Sequence, residues 1–581
     1  MTDTRTPLAV RDAAHLIHPV TAPRDMATEG AHVVVSGDGC HVIDDRGRRI
    51  IDGFAGLWCV AVGHGRTEIQ DAVNQQMKEL EYFTTFHGQS HPKAIELAEK
   101  LASMFNPEYG LNHVMFSSGG SEANETNIKI ARLFSTLQGQ ERRTTILARN
   151  HGYHGLTIAT MTATGIHPLR WGFGPDSPGF VHGPAPWCYR CELDETYPEC
   201  NIACATALDK IIEREGPETV AAIIAEPVIG AGGIIPPPPE YFPMLREICD
   251  RHGILLIIDE VVTGFGRTGT MFGHEHWGGI RPDMVTLAKG LTSGYLPLGA
   301  SVISARVWDT ISERLPEHRP FSHGFTYSGH PVCCAAALAN IDIIEKEDLA
   351  GNAARVGEHL MTRMRELERF DSVGEVRGMG LMIGVDFVAD RTTQRGFAMP
   401  HTACAMVEQE AWERGLYARA MGMEVVGLAP PLVIDNALAD EMVEILADSI
   451  EAMERELMPA ERARTATAAA DPVDSARDFF ERVLPKRLAS TDTKDLDLTV
   501  QFALTGDGTG IWLLTVRHGS CTVDELDAES ADATLTLRSS TSDYLRIANA
   551  ALSVVDAFST QRMAIEGDMS RAAELATLGL M

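Results

Sequence analysis

A lysine, a carboxylate and a glycine-rich turn, each placed directly after an apolar run, are the residues of this chain most suited to chemistry. Lys289 follows the run DMVTLA and precedes a glycine-rich turn, with few charges near it. Apolar surroundings lower the pKa of a lysine, as an amine that forms an imine requires. Most lysines lie on solvated surfaces, so Lys289 needs support from other residues.

Asp259 closes the strongly apolar run ILLIID. Open α/β sheets bind their ligands at the carboxyl ends of such strands. An unpaired buried carboxylate is costly, so Asp259 needs a partner, and a protonated pyridine nitrogen would serve. For an isolated aspartate, a helix cap or an ion pair is the better interpretation.

The run FSSGGSEAN contains Ser118, Gly120 and Ser121 between a predicted strand and a predicted long helix. Glycines let backbone N–H groups approach a ligand, and a helix N-terminus favours an anion. A phosphate would fit there, although a plain strand–helix turn explains the run equally well.

These three features mean more together than singly. A phosphate cradle, a partner for a pyridinium nitrogen and a lysine at a strand end are the minimum equipment for pyridoxal phosphate. This cofactor acts as an electron sink while the protein orients it. The residues themselves therefore predict a pyridoxal phosphate site around Lys289, Asp259 and Ser121.

The elements that must position these residues alternate along the chain. From about residue 92, helical patterns alternate with short strands that are apolar on both faces, which predicts a parallel sheet covered on two sides. Turn signals at 37–39 and 45–47 predict a small β-meander before it. After about Ala335, long amphipathic helices with short strands predict a smaller α+β lobe.

A change of composition predicts a further domain. The run ERARTATAAADPVDS is rich in Ala and Thr and suggests a linker, and Leu496–Leu537 alternates like an antiparallel sheet. We predict an N-terminal segment of the small lobe, a large cofactor-binding domain, the rest of the small lobe, a linker and a C-terminal domain. Their ranges are 1–90, 91–335, 336–458, 459–473 and 474–581.

The bulk composition limits the kinds of partner that we expect for this protein. The net charge of −30 opposes binding to nucleic acid or to an anionic membrane, since both are polyanions. The start of the chain has no secretory pattern, and the most apolar stretch, 219–235, is broken by Glu226, Pro227 and glycines. Eleven cysteines show no small-domain disulfide pattern, so we expect a cytoplasmic enzyme acting on small molecules.

Six spaced motifs extend this prediction to a family. The runs SSGGSEAN, NHGYHG, AEPV, IIDEVVTGFGRTG, LAKGLTSGYLPLG and HGFTYSGHP resemble those of class III, fold type I aminotransferases, in order, over about residues 10 to 460. The resemblance implies an α/β fold with a large, mostly parallel-sheet domain and a small α+β lobe. It also implies pyridoxal 5'-phosphate as the cofactor.

The resemblance gives the two central residues their roles. Lys289 matches the lysine that holds the cofactor as a Schiff base and moves the proton, and Asp259 matches the carboxylate that keeps the pyridine nitrogen protonated. Both would be catalytic.

The resemblance also assigns further contacts with the cofactor. Tyr153 would stack on the ring, beside His154, and Val261 would pack on the other face. Glu226 would lie near the cofactor and pair with a mobile arginine. Thr326 would reach the phosphate from the neighbouring subunit, which implies a homodimer or a larger oligomer. The phosphate donors would be Ser118, Gly120 and Ser121.

Two further runs, GLWCVAVGHGR and LYARAMG…APPLV, resemble the amine:pyruvate group, or ω-transaminases. Trp58 and Tyr153 would line the substrate pocket. Arg419 would swing in to pair with a keto-acid carboxylate and swing out for an uncharged amine. The alternatives are core packing for Trp58 and a surface ion pair for Arg419. The stretch after Arg419 is one residue longer than in those relatives.

The resemblance therefore predicts transfer of an amino group from a primary amine or ω-amino acid to pyruvate or a similar 2-oxo acid, giving alanine and an aldehyde or ketone. One alternative is a dedicated taurine– or β-alanine–pyruvate aminotransferase. Others are an aminomutase or decarboxylase on the same scaffold, and a lipid-binding protein with an inert aminotransferase-like body.

The C-terminal domain resembles the sterol-carrier-protein-2-like fold through LTVQFALTGDGTGIWLLTV, DATLTLRSSTSDYLRIA and AFSTQRMAIEGDMSRAAEL, over nearly all of 474–581. Such domains often enclose an apolar tunnel, so an apolar ligand is one prediction. We favour the alternative, in which the module extends the dimer or supports solubility.

A cysteine-bearing loop is the last feature with possible chemistry. Its spacing, C-x2-C-x8-C-x3-C, could provide four thiolates for a structural zinc. The alternative, free or partly oxidised thiols, is the one that we favour, and we predict no catalytic metal. The residues concerned are Cys188, Cys191, Cys200 and Cys204.

Overall fold

The N-terminal part of the chain carries the predicted β-meander. The computed structural model describes residues 5–559 apart from 279, 400, 423, 490–492 and 495, together with 562–568, 571 and 574–578. Three antiparallel strands pair in sequence order, which confirms the meander. The elements are α1 Pro7–His15, α2 Pro23–Glu29, β1 Val34–Asp38, β2 His41–Asp44, β3 Arg49–Ile51, α3 Ala55–Trp58 and α4 Thr67–Glu79.

The large domain is built on a seven-stranded sheet. Its strands are β4 Leu111–Ser117, β5 Thr145–Arg149, β6 Phe180–Gly183, β7 Val220–Ala225, β8 Leu255–Asp259, β9 Met284–Leu287 and β10 Gly299–Ser304. Its helices are α5 Pro92–Ser103, α6 Gly120–Leu137, α7 Ile158–Ala163, α8 Ala203–Glu215, α9 Tyr241–His252, α10 Ala305–Arg314 and α11 Pro331–Lys346.

The strand order is β4-β10-β9-β8-β7-β5-β6. Strands β5 to β9 are parallel, and β10 runs antiparallel to both of its neighbours. Every residue of β7 and β8 is buried, because helices cover both faces. The predicted mostly parallel α/β sheet is confirmed.

The small lobe continues after α11. Its sheet has the order β11-β12-β14-β13, and all of its pairs are antiparallel. The elements are α12 Leu349–Arg365, β11 Val373–Gly378, β12 Ile383–Phe387, α13 Thr402–Glu413, β13 Arg419–Met421, β14 Val425–Leu428 and α14 Asn436–Ala470.

Helix α14 corrects the predicted linker. We expected the last helix of the lobe to end near 458 with a linker over 459–473, but the helix runs on through Pro459 to Ala470. Alanine is the strongest helix former, so a composition that suggested a linker supports a helix equally well. The extension is also anchored, since Arg395 pairs with the buried Glu461 at 2.8 Å. The remaining domain boundaries stay predictions.

The C-terminal domain has a five-stranded sheet in the order β17-β16-β15-β18-β19. Strands β15 and β16 form the predicted antiparallel pair, but β18 pairs parallel with β15, so the wholly antiparallel prediction is wrong. Alternation of apolar residues does not reveal strand direction. The elements are α15 Ala476–Asp478, α16 Leu484–Leu488, β15 Asp497–Thr505, β16 Gly510–Arg517, β17 Ser520–Leu526, β18 Leu535–Ser540, α17 Thr541–Ala548, α18 Val554–Ser559, β19 Met563–Gly567 and α19 Glu574–Thr577.

The core of the C-terminal domain is aromatic. Phe480 stacks on Trp512, with ring centroids 4.6 Å apart, and on Tyr544 at 5.7 Å. The domain touches the body of the protein through an Arg562–Asp194 ion pair and through an edge-to-face contact between Phe558 and His167 at 5.8 Å. None of the helices in the described part of the chain is both long and apolar enough to cross a bilayer.

Candidate active site

A cleft of about 360 Å³ lies at the carboxyl ends of the central parallel strands. Strand β8 ends in Asp259, and Lys289 follows β9 after one residue, so the two side chains meet at the same edge of the sheet. Nine of the residues predicted from the sequence line this cleft: Ser118, Gly120, Ser121, Tyr153, His154, Glu226, Asp259, Val261 and Lys289.

Asp259 is buried and held by three donors. The backbone N–H of Val261 donates to its Oδ1 at 3.1 Å, and Asn124 Nδ2 donates to its Oδ2 at 2.7 Å. His154 Nδ1 lies 2.8 Å from the same Oδ2, and since an ionised carboxylate only accepts, Nδ1 carries the proton. Each carboxylate oxygen can accept more than one hydrogen bond, so Asp259 keeps capacity for a cationic N–H in the cleft.

Asn124 is a residue that the sequence reasoning missed. It lies on α6 and is buried, and it ties together the groups around Asp259. Besides donating to Asp259, its amide donates to the carbonyl of His154 at 2.8 Å, and its oxygen accepts from Thr286 Oγ1 at 2.7 Å. The signal was available, since Asn124 closes the run SSGGSEAN, and a buried amide needs a full set of partners.

Lys289 is held at the cleft in an uncommon backbone conformation. Its φ of 44° lies in the left-handed region, which non-glycine residues seldom adopt away from turns and functional sites. Burial lowers the pKa of its ammonium, and the nearby Cys59, Asp259 and Glu226 offset this in part. The lysine is therefore poised to lose its proton more readily than a solvated lysine.

Tyr153 and His154 stand on a tight turn after β5. Glu226 fixes this turn, since its Oε1 accepts from the backbone N–H of Tyr153 at 2.9 Å and its Oε2 from that of Gly230 at 2.9 Å. Burial raises the pKa of Glu226, and so does the neighbouring Asp259. Within the described part of the chain, His154 Nε2 is buried without a hydrogen-bond partner.

The N-terminus of α6 forms the far wall of the cleft. The helix begins at Gly120, so the free N–H groups of its first turn, together with the Ser121 hydroxyl, form a site that favours an anion. Gly155 has a φ of +129° and packs so closely on Ser121 that an added Cβ would collide with the hydroxyl. The close approach keeps Ser121 aimed along this wall.

Of the site residues predicted from the sequence, all of which the structure describes, three do not line the cleft. Trp58 is buried against Phe54, with ring centroids 4.3 Å apart, in an apolar cluster that borders the cleft through Val262. Thr326 is exposed, and its carbonyl accepts from the Tyr82 hydroxyl at 2.8 Å. Within a single chain, Trp58 therefore packs in the core, which was the alternative interpretation of this residue.

Arg419 is the third of these residues. It opens β13 and lies near Glu408 on α13 and near Tyr417. Burial raises the pKa of Glu408 on that helix, and Arg419 offsets part of the rise. Burial also raises the pKa of Tyr417, and Arg419 again offsets part of the rise. Arg419 does not line the cleft in this structure, and its role as a mobile partner of a carboxylate stays a prediction.

Other lining residues were not singled out from the sequence. Cys59 directly follows Trp58 in the run GLWCVAVGHGR, where the tryptophan gives the stronger signal. Val262 and Ala288 neighbour predicted residues, and Thr292 follows in the run after Lys289. Leu296, Pro297 and Leu298 make one wall apolar. An apolar wall gives no sequence signal beyond that of an ordinary core.

The cysteine-bearing loop lies outside the cleft. Cys188, Cys191, Cys200 and Cys204 are free thiols. Among the described residues, no group of three or more His, Cys, Asp or Glu side chains is arranged to hold a metal ion. Burial raises the pKa of Cys188 to about 11 and that of Cys204 to about 12, which disfavours thiolates.

A sheet-edge cleft with a buried lysine, a tethered carboxylate and a helix N-terminus defines a fold type I pyridoxal phosphate enzyme. Residues 25–450 match the model of the class III aminotransferase family, and the chain belongs to that family. Residues 480–578 match the SCP-2 sterol transfer family, as the C-terminal resemblance predicted.

Named relatives cover nearly the whole aminotransferase body. The chain is 40% identical over 447 residues to a diaminobutyrate–2-oxoglutarate transaminase of Halomonas elongata, covering 76% of this chain and 95% of that one. It is 39% identical over 432 residues to a putrescine–pyruvate aminotransferase of Pseudomonas aeruginosa, covering 74% and 93%.

Solved structures show the same architecture. A thermostable (S)-enantioselective ω-transaminase from Thermomicrobium roseum superposes with a TM-score of 0.74 at 44% identity, covering 77% of this chain and 98% of that one. The ω-transaminase of Pseudomonas jessenii, in complex with PMP, gives 0.76 at 36% identity, covering 78% and 100%. The protein is thus an aminotransferase, and its family depends on pyridoxal phosphate.

The residues of the cleft fit this cofactor. The α6 N-terminus supplies donors for a phosphate, Asp259 keeps free acceptor capacity for a pyridinium N–H, and Lys289 provides a buried amine. These three groups have the three chemistries that the cofactor requires, and they line one cleft.

Proposed function

We propose that this aminotransferase transfers the amino group of a primary amine to pyruvate, with Lys289 and Asp259 as its catalytic residues. One observation carries the proposal: Lys289, Asp259, Tyr153 and Ser121 line a single cleft at the end of the parallel sheet, as the transfer requires. When bound, the cofactor supplies the electron sink that stabilises a carbanion next to nitrogen.

Lys289 would hold the cofactor covalently and handle protons. Because burial lowers the pKa of its amine, a neutral Nζ is more accessible than in a solvated lysine, and a neutral amine can take a proton from the substrate carbon. Asp259, oriented by its three donors, would bind a protonated ring nitrogen. Lys289 would thus move the proton, and Asp259 would keep the ring able to accept electrons.

The other residues would orient the cofactor and exclude water. Tyr153 would cover one face of the ring and Val261 the other, and His154 would brace Asp259 from behind. The phosphate would bind at the N-terminus of α6, through Ser118, Gly120 and Ser121.

The amino donor is proposed from the cleft and from the relatives. Among the described residues, the cleft lining contains one lysine, Lys289, and no arginine, beside the acids Glu226 and Asp259, and it has an apolar wall formed by Leu296, Pro297 and Leu298. Such a wall suits an amine without a carboxylate. The putrescine–pyruvate relative supports a diamine or another primary amine as donor.

The acceptor is proposed to be pyruvate or a similar 2-oxo acid, bound by Arg419 after its guanidinium moves into the cleft. A guanidinium binds a carboxylate in a bidentate manner, so it would select the acid and withdraw for the amine. The diaminobutyrate–2-oxoglutarate relative makes 2-oxoglutarate the second candidate acceptor.

The active unit is proposed to be a homodimer. Thr326 is exposed and lies away from the cleft of its own chain, as a residue that serves a neighbouring subunit would. The C-terminal domain is proposed to support this assembly. Its aromatic core around Phe480 is compatible with that role, while its match to a sterol transfer family keeps an apolar ligand as the alternative.

A donor screen tests the proposal. The holoenzyme is incubated with putrescine, a monoamine, taurine or β-alanine, each with pyruvate or 2-oxoglutarate, and alanine or glutamate is measured. We expect alanine from the amines. Product from taurine or β-alanine alone would favour the ω-amino acid alternative, and no amino acid product from any pair would contradict the proposed function.

A further inference from the structure

The cysteine-bearing loop places a buried carboxylate behind the turn that carries Tyr153. Glu192 lies between Cys191 and Leu193, and its side chain is 12% exposed. Its Oε2 accepts from Asn150 Nδ2 at 2.6 Å, and its Oε1 accepts from the backbone N–H of Ala185 at 2.9 Å. Asn150 begins the turn that ends at Tyr153 and His154.

This carboxylate has no strong counter-charge among the described residues. Its ion-pair neighbour is His151, whose Nε2 is 4.0 Å away. Burial, together with Arg377 and Arg190, lowers the pKa of His151 to about 4, so the imidazole is neutral at physiological pH. Burial also raises the pKa of Glu192. Burying a carboxylate whose partners are neutral N–H groups lowers the stability of the fold. The position of Glu192 therefore indicates a role other than stabilising the fold.

The turn that Glu192 reaches needs support. His151 has a φ of 62°, in the left-handed region, which is unfavourable for a residue with a side chain. Backbone hydrogen bonds hold the turn on two sides, from Asn150 N to Gly183 O at 2.8 Å and from His151 N to Gly165 O at 3.1 Å. The Asn150 amide adds a side-chain hydrogen bond that tethers the turn to the loop, and the His151 ring packs edge-to-face on Trp187 of the same loop, with centroids 5.2 Å apart.

The loop itself is fixed to the small lobe. Arg190 donates to Asp386 of β12 at 2.8 Å, and Arg377 of β11 pairs with the same carboxylate at 3.0 Å. Arg377 also lies over the Trp187 ring, with its guanidinium carbon 4.8 Å from the centroid. Since both arginines are largely buried, Glu192 stands on an anchored segment.

We propose that Glu192 is a positioning residue of the active site: by holding Asn150, it sets the turn that presents Tyr153 and His154 to the cofactor. The inference rests on the proposed function, because it assumes that Tyr153 stacks on the ring. Through Arg190 and Asp386, the same loop links this turn to the small lobe.

A swap of hydrogen-bonding groups tests the proposal in the full-length holoenzyme. In Asn150→Asp, two carboxylates face each other, and the tether is lost. In Asn150→Asp/Glu192→Gln, the glutamine oxygen accepts from Ala185 N and its amide donates to the new carboxylate, so the tether is restored. The readouts are kcat, the KM for the amine, and the visible circular dichroism of the bound cofactor.

We expect Asn150→Asp to lower kcat about 10-fold, since a buried tether of this kind contributes on the order of 1–2 kcal/mol. The KM should change less, and the circular dichroism of the cofactor should be altered. The double variant should recover most of the kcat and the spectrum. Glu195→Gln, on the exposed part of the same loop, is the matched control and should behave as wild type.

Two outcomes overturn the inference. Asn150→Asp could keep the wild-type kcat and spectrum, or the double variant could fold with full cofactor content and yet be no better than the single one. Should Asn150→Asp fail to fold, Glu192→Gln alone, which keeps the acceptor for Ala185 but loses the one for Asn150, must show the spectral change. Failure of the proposed function itself would appear separately, as a Lys289→Ala enzyme that keeps turnover.

Discussion

The active site has a cofactor end and a substrate end, and the sequence predicted the residues of the cofactor end more completely. At the cofactor end, nine of the ten predicted residues line one cleft, and the tenth, Thr326, was predicted to act from the neighbouring subunit. At the substrate end, Trp58 packs in an apolar cluster, and neither Trp58 nor Arg419 lines the cleft. The first group follows buried strands and turns whose geometry is local. The second lies on a kinked segment and a short hairpin, whose positions depend on packing and on the bound ligand.

The largest effect is expected at the cofactor end. Lys289→Ala removes both the covalent attachment and the proton carrier, so we expect kcat to fall by at least about 10⁴-fold. The absorption band of the covalently bound cofactor should disappear with it. Lys210→Ala, on the exposed side of α8, is the control and should keep both. A Lys289→Ala enzyme that keeps the wild-type absorption band would contradict the proposal that Lys289 holds the cofactor.

A somewhat smaller effect is expected for Asp259→Asn. The amide cannot compensate the positive charge of a protonated ring nitrogen, so the electron sink weakens, and kcat should fall by about 10²- to 10³-fold. Asp259→Glu keeps the charge and should lose less. Equal losses in both variants, measured with saturating amine and pyruvate, would show that the packing of this side chain matters rather than its charge.

At the substrate end the effect should be selective. Arg419→Ala removes the proposed partner of the keto-acid carboxylate, so the KM for pyruvate should rise about 10- to 100-fold. The amine half-reaction, followed alone by single-turnover absorbance, should be nearly unchanged. Glu408→Gln is the complementary variant, because it removes an acidic group near Arg419 and should lower the KM for pyruvate. If both half-reactions slow equally in Arg419→Ala, the arginine has a structural role.

The smallest effect concerns stability. Because the pKa of Lys289 is lowered in the fold, the apoenzyme is destabilised while the ammonium is charged, and its free energy of unfolding rises as pH increases from that lowered pKa towards 10.5. Lys289→Met apoenzyme should therefore melt about 2 °C higher than wild-type apoenzyme at pH 7. The difference should shrink at pH 9.5. A variant that is less stable at both pH values would contradict the assignment of a destabilised ammonium.

The sequence predicted the cofactor end because each of its residues has a local signal. Asp259 and Lys289 close apolar strands, and Ser121 stands in a glycine-rich turn before a helix. These signals place the residues at one sheet edge before any long-range contact is known. Glu192 lacked such a signal, and the motif that ends in Asn124 did not reveal the role of that residue, because the two roles follow from partners 42 and 135 residues away along the chain.

The fold itself was predictable to a similar extent. Strands β5, β7, β8 and β9 were predicted as parallel because their sequences are apolar on both faces, and they are parallel. The helix over residues 459–470 and the parallel pairing of β18 were not, since composition does not distinguish an alanine-rich helix from a linker and alternation does not set strand direction. Both depend on contacts that form only in the folded chain.

One measurement tests the central claim most directly. The holoenzyme is reduced with borohydride, which fixes the bond between the cofactor and the amine that holds it, and the digested protein is mapped by mass spectrometry. We expect the cofactor on the peptide that contains Lys289. Cofactor on another lysine, or an enzyme that turns over while no lysine carries it, would contradict the account.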